Sequence, residues 1–404
     1  MRKLYSNFLK TNNLLEGNVS IYLDFIRGIS AILVVMEHLS SRLFVGYGNV
    51  ENPTIFVQLL HLLNMLGGPA VIIFFVLSGV FISRSVLKAF YERKWAWKSY
   101  LINRFSRLYV VLIPALILTF ILDGLTANFF EFQRYGDAIT NLTQFVGNLF
   151  FLQNVFVGTY GTNYPLWSLS YEFWYYMLFP LILLLFSKQG KMKKAIYLII
   201  TVLIVSSIGT RMNSYFFIWL AGTVVILLPS INILKRWYVP IIALILVIVA
   251  SVVRPLVMTG RLFTNEWTTD LIFVDIFIAL VFGFFVYSLL QVPFTKFHNV
   301  DLGWLGKFSR LIAGFSFSLY VIHYPIINMV YRWGAMNGYG GLQPTIFSFI
   351  VELLLVTLLC IIAYLFSKLT EAQTPKVRKF LESKTNAFIN RERNKQIRKE
   401  SIPG

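Results

Sequence analysis

Long apolar runs separated by short polar connections dominate the chain. Windows of the length a membrane span needs, about 20 mostly apolar residues, fall at 21–40, 66–87, 105–124, 166–186, 195–210, 214–229, 239–254, 270–290, 311–331 and 345–367. The pattern predicts an all-α polytopic membrane protein of about ten transmembrane helices. The fifth and sixth windows are short for a crossing. A further stretch, FVGNLFFLQNVFV at 145–157, is shorter still and is interrupted by Asn148, Gln153 and Asn154, so it is expected to be re-entrant or interfacial. The chain thus divides into an N-terminal segment, 1–20, a transmembrane domain, 21–367, and a basic tail, 368–404, expected to be solvated or surface-lying.

Composition agrees. The chain is 57% hydrophobic and 13% charged, against about 25% charged in a soluble domain, and the surplus apolar surface requires a bilayer. A net charge of +18 raises the question of nucleic acid, but its distribution answers with topology. With the N-terminus inside, segments 1–20, 83–107, 187–194, 230–237, 291–310 and 368–404 carry 29 of the 36 lysines and arginines. The outer segments carry Arg42, Arg134, Arg211, Arg254, Arg261 and Arg332. Basic residues accumulate on the cytoplasmic side, so both termini are expected there, with anionic headgroups as a secondary partner and no nucleic acid. Residues 1–20 lack the compact apolar core and cleavage site of a signal peptide. Cys360 is the only cysteine and lies in an apolar run, so a disulfide or cysteine metal cage within the chain is excluded. No phosphate loop, dinucleotide fingerprint or metal-spaced histidine set occurs, and no metal is expected.

Ionisable side chains inside the spans carry the candidate chemistry, because burial in lipid costs several kcal/mol and is tolerated where a partner or a task exists. YLDFIRGISAILVVMEHL, Tyr22–Leu39, holds Asp24, Arg27, Glu37 and His38. Arg27 and His38 are eleven residues apart, which places them on one face, about 16 Å apart along the axis. Asp24 is spaced to pair with Arg27. One helix face therefore offers a cation near the cytoplasm and a proton acceptor near the outside. The plain alternatives are an arginine snorkelling to the inner headgroups and an interfacial histidine. Glu37 points elsewhere and is expected to meet water at the outer boundary.

Three further stretches add to this. KSYLINRFSRLYVVLIP (98–114) places Arg104 and Arg107 at the inner mouth of the third helix, where two guanidinium groups can hold phosphates or simply follow the positive-inside pattern. YPLWSLSYEFWYYMLFP (164–180) places Glu172 about two turns inside the outer end of its helix, at an expected depth similar to His38, where a carboxylate could orient an imidazole. Trp167, Ser168 and Ser170 surround it, and Trp167 and Trp174 are either sugar-stacking faces or interfacial belt. FSFSLYVIHYPI (315–326) sets Ser318, Tyr320 and His323 at helical spacing just before Pro325, a functional stripe or a structural histidine beside a kink. Ser78 and Gly79, in FFVLSGVFISRS, suit close helix packing. His61 and His298 fall in predicted loops.

In order, these blocks resemble the acyltransferase-3 family of membrane acyltransferases. LDFIRGISAILVVMEHL matches that family's Arg-x10-His first helix, and FFVLSGVFIS, NRFSRLYVVLIP, LWSLSYEFWYY and SFSLYVIHYP continue the resemblance to about residue 330. The first and fourth blocks are the more specific. The resemblance implies a bacterial inner-membrane enzyme that takes an acyl group, commonly acetyl, from cytoplasmic acyl-CoA to a hydroxyl of a surface glycan or lipid-linked saccharide. It implies that His38 and Arg27 are the family's first-helix pair, that Arg104 and Arg107 bind the donor, and that Glu172 is the glutamate of the Trp-Ser-x-x-x-Glu block. Some family members add an extracytoplasmic SGNH hydrolase-like domain. None is expected here, so the membrane domain would complete the transfer itself.

On this reading the arginines grip the phosphates of coenzyme A, the pantetheine arm enters the bundle, and His38, supported by Glu172, deprotonates the acceptor hydroxyl. A covalent acyl-enzyme on serine stays open. The rival is a transporter or flippase of a sugar or lipid-linked substrate, which would also use buried charges around a kinked helix. Broken-helix repeats in corresponding halves would favour it, and the sequence has none.

Overall fold

The structure, a computed structural model, describes residues 2–15, 18–129, 140–258, 271–292, 303–339 and 341–400. Arg134, Arg261 and His298 lie outside the described residues. The order of helices is α1 (Arg2–Leu14), α2 (Asn18–Leu43), α3 (Ile55–Asn64), α4 (Gly67–Tyr91), α5 (Trp97–Phe129), α6 (Leu142–Leu149), α7 (Leu166–Leu185), α8 (Lys191–Ser207), α9 (Gly209–Leu227), α10 (Val239–Met258), α11 (Ile272–Gln291), α12 (Gly303–Met336), α13 (Ile346–Leu369) and α14 (Thr374–Glu400). The described residues form no strand beyond two isolated bridges. The molecule is an all-α polytopic membrane protein.

Eight helical stretches are long and apolar enough to cross a bilayer. They contain eight of the ten expected windows, in α2, α4, α5, α7, α10, α11, α12 and α13. The expected fifth and sixth crossings take another form. α8 and α9 pass the same test only jointly, and they are bent by 116° at their junction. The cause is local. Gly209 adopts φ +73°, which a residue with a side chain rarely does, and Arg211 and Asn213 make the first turn of α9 polar.

The segments expected inside meet at one end of the bundle. Tyr5 of α1 packs on Tyr91 at the end of α4, with ring centroids 4.9 Å apart. Arg84 donates to Asn12 at 2.8 Å. Lys98 at the start of α5 donates to Asn386 of α14 at 2.6 Å. The tail is therefore a helix laid against the basic end of α5. The segments expected outside meet at the other end, where Val45 donates to the carbonyl of Leu342 at 3.1 Å and Leu342 to that of Leu43 at 2.8 Å.

Glycines and prolines set the close approaches. A Cβ on Gly79 would lie 2.0 Å from the carbonyl oxygen of Trp219, and one on Gly222 would lie 2.0 Å from that of Val76. α4 and α9 thus touch backbone to backbone, as expected of Gly79. A proline lacks the N–H that would bond the carbonyl four residues back, and two such carbonyls are taken by side chains. Pro180 frees Tyr176, whose carbonyl accepts from Tyr100 Oη at 2.8 Å. Pro325 frees Val321, whose carbonyl accepts from Asn163 Nδ2 at 2.9 Å.

The stretch 145–157 does not cross. α6 occupies its first half, and a tight turn with Phe151 and Asn154 at positive φ folds the rest back. Asn148 and Gln153 are fully buried because they satisfy this turn. Asn148 donates to the carbonyls of Gln144 and Gly158 at 2.9 Å each, and Gln153 donates to that of Leu166 at 2.9 Å.

Candidate active site: a basic-ended cavity and a histidine pair

A narrow cavity of about 110 Å³ opens among α2, α4, α5, α7 and α12. Its polar lining includes Arg27, Arg107, Ser78, Glu172, Ser168 and Tyr320, and phenylalanines and aliphatic side chains make up most of the remaining wall. Arg107 is exposed, so the cavity opens at the basic end. Arg27 is held there by Asp24 at 3.3 Å and by the carbonyl of Ala313, to which Nη2 donates at 3.2 Å. The expected Asp24–Arg27 pair therefore forms. It leaves Arg27 Nε buried without a partner among the described residues.

Of the two arginines on α5, only Arg107 lines this cavity. Arg104 lies beside it with Nη2 on Ser85 Oγ at 2.8 Å and its guanidinium over the rings of Tyr100 and Tyr176.

Glu172 belongs to the same end. Its Oε1 accepts from Ser78 Oγ at 2.8 Å and from Tyr176 Oη, and Trp219 Nε1 donates to Ser78 Oγ at 3.2 Å. The depth of Glu172 follows from α4. The backbone N–H of Gly68 donates to Glu37 Oε2 at 2.8 Å, so Gly68 marks the level of His38. Ser78, ten residues further along α4, lies about 15 Å deeper. The expected equal depth of Glu172 and His38 is corrected, because the α4 side chain that reaches Glu172 is near the level of Arg27. Glu37 likewise does not simply face water. Its carboxylate caps the N-terminus of α4, where free backbone N–H groups favour an anion.

His38 has a different partner. Its Nδ1 lies 2.8 Å from Nε2 of His323, and the two rings are nearly parallel at 8°. The hydrogen-bond chain fixes the tautomers of the neutral pair. Nδ1 of His323 is 3.1 Å from the carbonyl of Leu319, and a carbonyl only accepts, so His323 carries its proton on Nδ1. Its Nε2 is then a bare acceptor, and His38 must donate from Nδ1. The lone pair of His38 Nε2 is left free, as a general base requires. Tyr320 joins the two regions. It lines the cavity, its ring lies 5.9 Å from that of His323, and its hydroxyl is 2.6 Å from Ser168 Oγ.

The other expected residues separate from this group. Trp167 packs edge-on against Tyr171 and Tyr215 and is part of the aromatic core. Ser170 Oγ and Trp174 Nε1 both donate to the carbonyl of Phe151, at 2.7 and 3.0 Å, and thereby hold the turn after α6. Sequence reasoning missed Glu371. Its carboxylate accepts from the Ser318 backbone N–H at 3.3 Å and from Ser318 Oγ at 3.1 Å, within electrostatic reach of Arg107 and Arg27. Nothing in a tail read as solvated signalled this. Tyr176 was legible as the residue one turn after Glu172, and Asn163 was not, because its partner carbonyl is freed by a proline far along the chain.

A family model described as an acyltransferase domain matches residues 20–365. An uncharacterized protein of Haemophilus influenzae (strain ATCC 51907 / DSM 11121 / KW20 / Rd) is 27% identical over 146 residues, covering 35% of this chain and 60% of that relative. The match therefore spans less than two thirds of the relative's length. No solved structure matches.

Proposed function

The chain belongs to the acyltransferase-3 family, and on that premise we propose that this membrane acyltransferase moves an acyl group, commonly acetyl, from acyl-CoA to a hydroxyl of a surface glycan or lipid-linked saccharide. The histidine pair carries the reading. It offers a bare imidazole nitrogen on the same helix face as Arg27, about 16 Å further along.

In this account Arg107 and Arg27 hold donor phosphates at the basic mouth, where planar guanidinium forks match phosphate oxygens. Ser78 and Tyr176 pin Glu172 in the cavity wall, where it fixes the shape of the donor site and not the orientation of His38. The acyl arm lies along the cavity towards Tyr320. His38 Nε2 takes the proton of the acceptor hydroxyl as that oxygen bonds to the thioester carbonyl carbon. The carbon–sulfur bond breaks, the ester is released and CoA leaves as the thiolate, which takes up a proton as the His38 imidazolium gives one back, so that the free base is restored. His323 accepts the Nδ1–H of His38 throughout, which stabilises the imidazolium formed during transfer. Such general-base help is typically worth about 10²–10⁴-fold. The charge asymmetry supports a bilayer position with the basic end in the cytoplasm, and a bacterial inner membrane is what the family resemblance implies.

The test is chemical. Surface polysaccharide from cells with and without the gene is compared for ester-linked acyl groups, and membranes are incubated with labelled acetyl-CoA. The reading expects gene-dependent ester in glycan or lipid-linked sugar. Sugar movement without acyl incorporation would support a transporter instead.

A further inference from the structure

A second cavity, of about 340 Å³, lies at the opposite end from the arginines, between α2, α3 and the segment before α13. Its polar lining is Glu37, Ser40, Ser41, Tyr47, His61 and Asn64. Its roof is a strap of chain after α2 stitched to the segment before α13. Gln343 Nε2 donates to the carbonyl of Asn49 at 3.1 Å, and the Glu51 N–H donates to Gln343 Oε1 at 3.2 Å. One wall is aromatic, with the rings of Tyr47 and His61 4.8 Å apart. His61 was expected in a loop and instead lies on α3.

Asn64 lines the inner wall, with Glu352 behind it. Asn64 is 4% exposed and Glu352 fully buried. Asn64 Nδ2 donates to Glu352 Oε2 at 3.2 Å, while Asn64 Oδ1 and Glu352 Oε1 have no partner among the described residues. Buried polar atoms are normally satisfied, so a bare amide oxygen on a residue lining a cavity points to a ligand that donates hydrogen bonds. No lysine or arginine lines the cavity, and the carboxylate of Glu37 disfavours an anion there.

We propose that this cavity binds an uncharged, hydroxyl-rich ring, the saccharide unit of an acceptor, on the opposite flank of the α2 turn that carries His38. A ring hydroxyl donates to the bare Asn64 Oδ1 and the ring's apolar face lies on the aromatic wall. Its volume of about 340 Å³ falls at the lower end of the usual 300–1,000 Å³ of small-molecule sites. Binding away from the reacting atoms supplies orientation for transfer. The assignment of an acceptor rests on the acyl-transfer reading, and the binding itself does not.

The experiment is saturation-transfer NMR on the purified full chain in nanodiscs, with methyl glucoside, methyl galactoside and methyl N-acetylglucosaminide as probes and methyl glucuronide as the anionic control. Two variants fill the cavity, Ser41→Trp at an exposed position and Val50→Trp at a half-buried one. The proposal expects saturation of at least one neutral glycoside, at least tenfold weaker signal for the glucuronide, and at least tenfold loss in either folded filling variant. It is overturned if no neutral glycoside is saturated, if the glucuronide matches it, or if both filled cavities bind as the wild type does. Acetyl-CoA turnover is measured in parallel. Glycoside binding without turnover sinks the acyl-transfer reading and leaves the site standing, whereas turnover without glycoside binding does the reverse.

Discussion

His38 and His323, on α2 and α12, meet with Nδ1 and Nε2 2.8 Å apart, and the carbonyl of Leu319 on the far side of His323 decides which nitrogen of each ring bears the proton. The arrangement couples the half-buried imidazole of His38 to the fully buried one of His323 and leaves a defined free lone pair on His38 Nε2.

The partner should matter less than the base. His323→Ala removes the acceptor for the His38 Nδ1–H and is expected to lower kcat about tenfold or more, equivalent to ~1.4 kcal/mol or more in the barrier, with the KM for acyl-CoA little changed. His323→Gln, whose amide oxygen can accept the same proton, should recover part of the loss. Steady-state release of CoA measures both.

Acid should inhibit, and the sign follows from the same chain. Protonating His38 removes the base, and protonating His323 at Nε2 replaces an acceptor with a donor. Either event stops transfer, so activity is expected to fall as pH drops, with two groups contributing to the acid limb. In His323→Gln the limb should become that of a single group. A pH profile of kcat in both proteins checks this.

Arg104 and Arg107 should separate. Only Arg107 lines the cavity, so Arg107→Gln is expected to raise the KM for acyl-CoA about tenfold or more, as loss of a charge-assisted hydrogen bond of about 1.5–3 kcal/mol implies. The defect should come with a weaker dependence on salt, because a screened phosphate contact has gone. Arg104→Gln breaks the link to Ser85 and should show mainly reduced thermal stability.

The α4–α9 crossing has no room for a methyl group. Gly79→Ala drives Cβ to within 2.0 Å of the Trp219 carbonyl oxygen, so the backbones must part, at a cost of about 1–3 kcal/mol by analogy with other overpacked interiors. Thermal unfolding in detergent should show the loss. Gly124→Ala, where a Cβ meets nothing within 4 Å, is the matched control.

Much of this was legible in the chain. Apolar length located eight spans, and charge asymmetry grouped the segments that meet at the basic end. The Arg27–His38 face and the Asp24 partner followed from helical spacing. The histidine pairing did not, because His38 and His323 are distant in sequence and a hydrogen bond between helices leaves no local pattern. Glu172 was read at the wrong depth because distance from a helix end does not fix height in a bundle whose helices start at different levels. The α8–α9 bend was hidden because apolar windows carry no angle, and only Gly209 with the polar Arg211 and Asn213 marks it.

The central claim is that His38 is the base. Membranes holding wild type or His38→Gln are given labelled acetyl-CoA, protein level and donor binding are matched, and ester label in glycan or lipid-linked sugar is counted. The account predicts that the variant binds donor and incorporates label about 10²–10⁴-fold more slowly. Incorporation at the wild-type rate would contradict it.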